Sequence, residues 1–335
     1  MNILNIFRKK KDEKHSQLRL PFISQSLALI IVPFEELLTL PFGSVLRIIN
    51  FVTLFLSLWY SSKIYLRQKK VLYPLFIFFG YAVLSILWCI NRTYYFDRLF
   101  TYSLYILLIT FLQSLNPNKR EKDAMIISLY VGGLITSILL IINGNNVNAN
   151  IGDRGTLILL GRSIDPNILS FSCAVSLIIN LNWVLFEKKT KMHIVILPLF
   201  VYSILHLGSR GAFLTVVIVI TIMLMNVKFQ SNRYLKKLLL ILFSVLIAYW
   251  VYKNYILSSD YGSRFTIDNL LGTGNLGTAN RSLIWDAAIE QFWRKPLIGY
   301  GNGASMYAIE MVYKFYGTHN SYLLVLLEFG IIGFM

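Results

Sequence analysis

A short turn, Gly208-Ser209-Arg210-Gly211-Ala212, sets one arginine between two apolar stretches. A guanidinium there is costly unless it snorkels to lipid phosphate or holds an anionic partner. Two uses are open: an interfacial anchor, or a clamp on a diphosphate, which guanidinium binds through paired N–H donors. A second stretch, Gly161-Arg162-Ser163-Ile164-Asp165-Pro166-Asn167, reads as a helix start with Asp165 as cap and Pro166 in the first turn. Capping accounts for Asp165 and Pro166 but gives no role to Arg154 and Arg162. A third stretch opens at Asn280-Arg281-Ser282-Leu283-Ile284-Trp285 and predicts an amphipathic helix to Lys295, ended by Pro296. Ile284, Ala288 and Phe292, with Trp285 and Ile289 beside them, form its apolar stripe. Such a helix is expected at a membrane surface, with Trp285 and Trp293 at headgroup level.

His319 is one of four histidines, in Thr318-His319-Asn320-Ser321-Tyr322-Leu323, where a long polar segment gives way to the last apolar one. His15 and His193 fall among clustered lysines and arginines, and His206 near the end of an apolar stretch. His319 could cap or brace the helix start. Alternatively it could serve as a general base, with nearby arginines keeping the ring neutral as removal of a hydroxyl proton requires. Ahead of it, Gly299-Tyr300-Gly301-Asn302-Gly303 predicts a flexible turn, and Ser305–Tyr316 a second amphipathic piece. Gly272-Thr273-Gly274-Asn275-Leu276-Gly277 matches a dinucleotide-binding glycine pattern but follows no predicted strand, so it carries no such reading. The two cysteines, Cys89 and Cys173, give no metal spacing and no disulfide framework.

The elements that must position these residues are membrane helices. Apolar residues make up 56% of the 335 positions and charged residues 14%, with mean hydropathy +0.60; a soluble chain carries about a quarter charged residues. The apolar residues fall in blocks long enough to cross a bilayer, which takes roughly 20 residues each. The expected class is an all-α polytopic helix bundle of about ten spans: 21–40, 44–62, 71–90, 97–115, 124–143, 166–186, 193–208, 210–227, 238–257 and 318–335. The net charge of +16 would suit a nucleic-acid binder if the chain were soluble. Its placement argues otherwise, since segments 1–19, 63–70, 116–123, 187–192 and 226–237 hold 20 of the 32 lysines and arginines. Every second connection is therefore cytoplasmic, the N-terminus included, and no nucleic-acid partner is expected. The organisation that follows is a cytosolic tail (1–20), a bundle (21–257), a large exterior loop with amphipathic helices (258–317) and a last span (318–335).

These stretches together resemble the O-antigen ligase and polymerase family of bacterial membrane glycosyltransferases. The matching features are Gly161–Asn167, Ser209-Arg210-Gly211, Asn280-Arg281 with Trp285, Lys295-Pro296-Leu297-Ile298-Gly299-Tyr300-Gly301, His319-Asn320-Ser321-Tyr322-Leu323, and Glu328-Phe329-Gly330-Ile331-Ile332-Gly333. They cover residues 150–335; residues 1–150 match only in being transmembrane. Family members usually have about twelve spans, so ten would make this chain a truncated member. The resemblance implies transfer of a glycan from undecaprenyl diphosphate to a hydroxyl of a glycan, lipid or protein, at the outer face of the inner membrane. It implies no metal and no cofactor, with flippase and chain-length-regulator proteins as partners. By the family's pattern Arg210 and Arg281, with Arg162 as a further member, hold the diphosphate, and His319 accepts the acceptor's proton.

A polymerase of capsular or O-antigen-like polysaccharide is the favoured form and a ligase the runner-up. The rival from another class is a lipid-linked oligosaccharide flippase. Transporters carry ionisable residues or broken helices near the midplane, and here the spans are nearly free of charge, Glu35 and Glu36 being the main exception.

Overall fold

Helix dominates the computed structural model, which describes residues 17–40, 43–61, 69–143, 147–148, 154–159, 161–187, 191–226 and 281–335. In chain order the helices are α1 (Leu20–Ile31), α2 (Val45–Tyr60), α3 (Lys69–Leu84), α4 (Arg92–Ser114), α5 (Lys119–Asn143), α6 (Pro166–Leu185), α7 (Lys191–His206) and α8 (Arg210–Asn226). After the residues outside the description come α9 (Arg281–Arg294), α10 (Ser305–Glu310) and α11 (Ser321–Phe334). Three antiparallel pairs of two-residue strands join β1 (Thr39–Leu40) to β2 (Gly43–Ser44), β3 (Val147–Asn148) to β4 (Arg154–Gly155), and β5 (Ile158–Leu159) to β6 (Arg162–Ser163).

Among the described residues α4, α5 and α6 are long and apolar enough to cross a membrane. The other apolar helices are shorter, between 10 and 17 residues. The expected span 238–257, the exterior segment 258–280 and the glycine pattern at 272–277 lie outside the described residues. Large apolar side chains such as Trp59, Ile77 and Val195 stand outward, as they do where lipid replaces water as the solvent.

The first expected span is shorter than hydropathy indicates. α1 ends at Ile31, and a single 3-10 turn, Val32–Phe34, follows it around Pro33; proline cannot supply the N–H that would carry the helix on. Glu35 and Glu36 therefore lie beyond the helix end rather than inside a span. Ser44 Oγ donates to Glu35 (2.9 Å).

The chain divides into two compact units, Met1–Ile49 with Asn118–Gly277, and Asn50–Pro117 with Thr278–Met335. In the first, α5 packs between α1 and α6 through glycine. A Cβ at Gly132 would stand 3.1 Å from the Ile30 carbonyl, and one at Gly133 would fall on Ser176 Oγ and 2.5 Å from the Ser172 carbonyl. Close approach of small residues is how helices associate where lipid offers no hydrophobic drive. At the charged end of α5, Asn118 and Glu121 bond reciprocally: Glu121 N–H donates to Asn118 Oδ1 (2.9 Å) and Asn118 N–H to Glu121 Oε2 (2.8 Å), a capping box. Arg19 then grips the buried Glu121 carboxylate through Nε and Nη2, both at 2.7 Å, tying the start of α1 to the start of α5.

In the second unit α9 buries Ile284, Ala287 and Ala288 against Tyr300, Ala304, Ala308, Ile309 and Leu327. The expected amphipathic helix is present, but Trp285 turns inward and is half-buried. Trp293 is the tryptophan left exposed on that helix. The second amphipathic piece is a short α10 of six residues that stops at Glu310.

Candidate active site

The turn before α11 is held from three sides. Trp285, on the inner side of α9, donates its indole N–H to the Thr318 carbonyl (2.9 Å). Thr318 is buried and its hydroxyl donates to the Asn320 carbonyl (3.0 Å). Asn320 caps α11, its Oδ1 accepting from Tyr322 N–H (3.0 Å) and Leu323 N–H (3.3 Å), the ordinary way to satisfy the first free donors of a helix. His319 sits between these two anchors with φ 48, a left-handed conformation. Non-glycine residues adopt it where the surroundings impose it, as they do at functional sites. His319 is thus not the cap; Asn320 is. Its imidazole is exposed, and among the described residues no hydrogen bond or ion pair holds the ring.

The other described histidines are engaged otherwise. His193 Nδ1 stands 2.7 Å from Asn180 Oδ1. His206 is buried and stacks on Tyr202 with 13° between ring planes. Among the described histidines, His319 is the one with an exposed ring.

Behind this turn α11 is broken. Gly330 takes φ 64 and ψ −165 inside it, and the backbone freed there pairs with the segment after α9. Tyr300 N–H donates to the Leu327 carbonyl (2.8 Å), Gly301 N–H to Glu328 O (2.8 Å), Ile331 N–H to Pro296 O (2.9 Å) and Ile332 N–H to Leu297 O (3.2 Å). Backbone that leaves the helical pattern at membrane depth must find such partners. The stretch 299–303 is therefore no flexible turn: all five residues are buried. Its three glycines have positive φ, and a Cβ at Gly301 would lie 2.5 Å from Cys89 Cα. The Glu328 side chain completes the lock by accepting from Ser305 Oγ (2.8 Å). Tyr300 donates its hydroxyl to Gln291 Oε1 (2.6 Å); burial pushes its phenol up, against a smaller opposing pull from Arg294, so it stays a neutral donor.

A second constellation belongs to the first unit. Asp165 caps α6 as the sequence indicates, its Oδ1 accepting from Asn167 N–H (2.7 Å). The Asp165 N–H donates to Glu36 Oε2 (2.8 Å). Asn167 in turn accepts from the buried Ser209 hydroxyl (3.1 Å), the residue before Arg210, which opens α8. Arg162, in the hairpin ahead of α6, donates to Thr39 Oγ1.

The two stretches that carry Arg162 and Arg210 are thus brought together through Asn167 and Ser209, and those that carry Arg281 and His319 through Trp285 and Thr318. Arg281 is the first residue of α9. Arg162 and Arg210 belong to the first unit, Arg281 and His319 to the second. Sequence reasoning passed over Ser209 and Asn167 as a pair, since 42 residues separate them and neither is charged.

Apolar helices in number, with polar clusters gathered at their ends, define a multi-pass helical membrane protein. Residues 193–335 match the family model described as O-Antigen ligase, which makes the resemblance to the O-antigen ligase and polymerase family a finding for that segment. Arg210, Arg281 and His319 lie within the match, and Arg162 lies ahead of it. No curated protein and no solved structure matches the chain. The family's members are glycosyltransferase-like enzymes, so the match supports chemistry of the O-antigen ligase or polymerase type and gives no support to the flippase reading.

Proposed function

We propose that the protein is a polysaccharide polymerase, transferring a glycan from undecaprenyl diphosphate to a hydroxyl of another glycan at the outer face of the bacterial inner membrane. The observation that carries this reading is His319: an exposed imidazole on a turn tied down at both neighbours, inside the segment that matches the family. An imidazole nitrogen takes the proton as the acceptor's O–H bond breaks and its oxygen attacks the donor's anomeric carbon. The bond from that carbon to the phosphate oxygen breaks, and the lipid diphosphate leaves with the electron pair. Arg210 and Arg281, with Arg162 as a further member, hold the diphosphate and stabilise the charge it gains. Guanidinium groups neutralise that charge themselves, so the reaction as drawn calls for neither metal nor nucleotide. The excess of lysine and arginine on alternate connections supports the orientation, with the N-terminus cytoplasmic and 258–317 exterior.

A ligase, delivering finished glycan to a lipid, wall or protein acceptor, is the second reading, and the matched family model fits it as well as it fits a polymerase. The test is complementation of a strain deleted for the gene, with surface glycan resolved by size. Polymerase activity gives a ladder, and His319→Ala, Arg210→Ala and Arg281→Ala at wild-type membrane levels leave single repeat units. Wild-type glycan from all three variants would refute the assignment. Full-length chains that accumulate on the lipid carrier without reaching an acceptor would identify the ligase instead.

A further inference from the structure

We infer that Trp285 is a positioning residue that makes the His319 turn and helix α9 one mechanical unit, so that base and donor-binding helix keep a fixed geometry; this rests on the role proposed for His319. Arg281 opens α9 and Trp285 follows one turn later. The Trp285 indole N–H reaches the Thr318 carbonyl across 33 residues of chain at 2.9 Å. The next residue, His319, has a left-handed backbone, a conformation that persists where contacts on both sides over-determine it. Asn320 supplies the contact on the far side as the cap of α11. The contact on the near side is Trp285. Its helix is in turn fixed by Ile284, Ala287 and Ala288 in the apolar cluster that includes Leu327 of α11. A sequence view that places Trp285 among headgroups leaves it no such task; the indole turned inward does.

The reacting groups of a transfer must be held within a fraction of an ångström, and displacement of about 1 Å costs roughly a hundredfold. Trp285→Phe keeps the aromatic ring and removes only the N–H. The experiment uses the full chain in lipid nanodiscs, with lipid-linked glycan extracted from cells deleted for the gene as donor, and compares wild type, Trp285→Phe, His319→Ala and the double variant. The expected result is a kcat about tenfold to a hundredfold lower for Trp285→Phe, with KM for the donor within about twofold. The double variant should be no slower than His319→Ala, since a residue acting only through His319 has nothing further to lose. A Trp285→Phe enzyme at the wild-type rate overturns the inference while leaving His319 as base intact. A double variant slower by the product of the two effects also overturns it, because Trp285 then acts elsewhere. An active His319→Ala refutes the base, and the positioning role with it. Should Trp285→Phe not accumulate in membranes, the far anchor decides: Asn320→Ala is expected to show the same loss in kcat and Asn320→Asp, which still caps, to restore it. Equal rates for those two overturn the claim that the turn's anchoring sets the base.

Discussion

Replacing Gly330 by alanine tests whether the break in α11 is built or incidental. At φ 64 and ψ −165, Gly330 lies in a region that is open in practice to glycine alone, and a side chain there costs about 1–3 kcal/mol in backbone strain. The added Cβ also meets backbone rather than a movable side chain: it would fall on the Leu297 carbonyl and lie 2.6 Å from Ile298 N. To escape, residues 296–298 must retreat, stretching the bonds from Ile331 N–H to Pro296 O and from Ile332 N–H to Leu297 O. Each carries about 0.5–1.5 kcal/mol net, more when a buried group is left unpaired. The combined loss is about 2–6 kcal/mol, enough to lower the melting temperature in detergent by roughly 3 °C or more. Gly317→Ala is the matched control: nothing lies within 4 Å of a Cβ there, so its effect should stay within about 0.5 kcal/mol. Intrinsic tryptophan fluorescence during heating reads both. If Gly330→Ala melts with Gly317→Ala, the pairing of 296–301 with 327–332 does not hold the second unit together and the reasoning fails.

Arg19→Ala leaves the buried Glu121 carboxylate without its guanidinium and should cost about 2–4 kcal/mol; adding Glu121→Gln should restore much of it, read as melting temperature. Asn167→Ala removes the acceptor of the Ser209 hydroxyl beside Arg210. It should lower transfer about tenfold while moving stability by about 1 kcal/mol, measured as glycan ladder against melting temperature. His319→Gly should be about 1 kcal/mol more stable than His319→Ala, since glycine accepts the left-handed turn without strain. Both should be about 10² to 10⁴-fold slower than wild type, so thermal and turnover assays separate the residue's backbone role from its chemistry.

Patterns that depend on averages over many residues were legible in the sequence. Hydropathy located α2 to α8 and α11, with the ends of α3, α4 and α5 displaced by about one helical turn or slightly more, and Asp165-Pro166 announced the start of α6 through local chemistry. What escaped were features that a window average blurs or that no local signal encodes. The apolar run through Pro33 reads as one span, but proline stops the helix and sets Glu35 and Glu36 beyond its end. Gly299, Gly301 and Gly303 read as flexibility, because glycine's freedom in an unfolded chain and its use in tight backbone approach look alike in one sequence; burial separates them. Trp285 on an amphipathic helix suits a membrane interface and a fold interior equally, and the partner that decides is a backbone carbonyl 33 residues away. The same holds for Asn167 and Ser209, neutral side chains whose meaning exists only as a pair.

The stretches that carried the resemblance divide into residues proposed to do chemistry and residues that hold the scaffold together. Lys295–Gly301 and Glu328–Gly333 are two halves of one device, backbone paired to backbone, with Gly330 and Gly299 bare so that the two segments can touch. Neither half makes sense alone, since a membrane helix broken at Gly330 would strand its carbonyls and N–H groups in a medium without water. Glu328, buried behind the turn, accepts hydrogen bonds from Ser305 and so fastens the loop. The break also bears on how the turn is held. An unbroken α11 would rely on its own first turn to hold His319, and helix ends fray. Pinned by the 296–301 segment behind and by Trp285 and Asn320 in front, the turn keeps a left-handed histidine in place. The scaffold stretches are therefore as necessary to the proposed transfer as the imidazole itself, although no atom of theirs need touch a sugar.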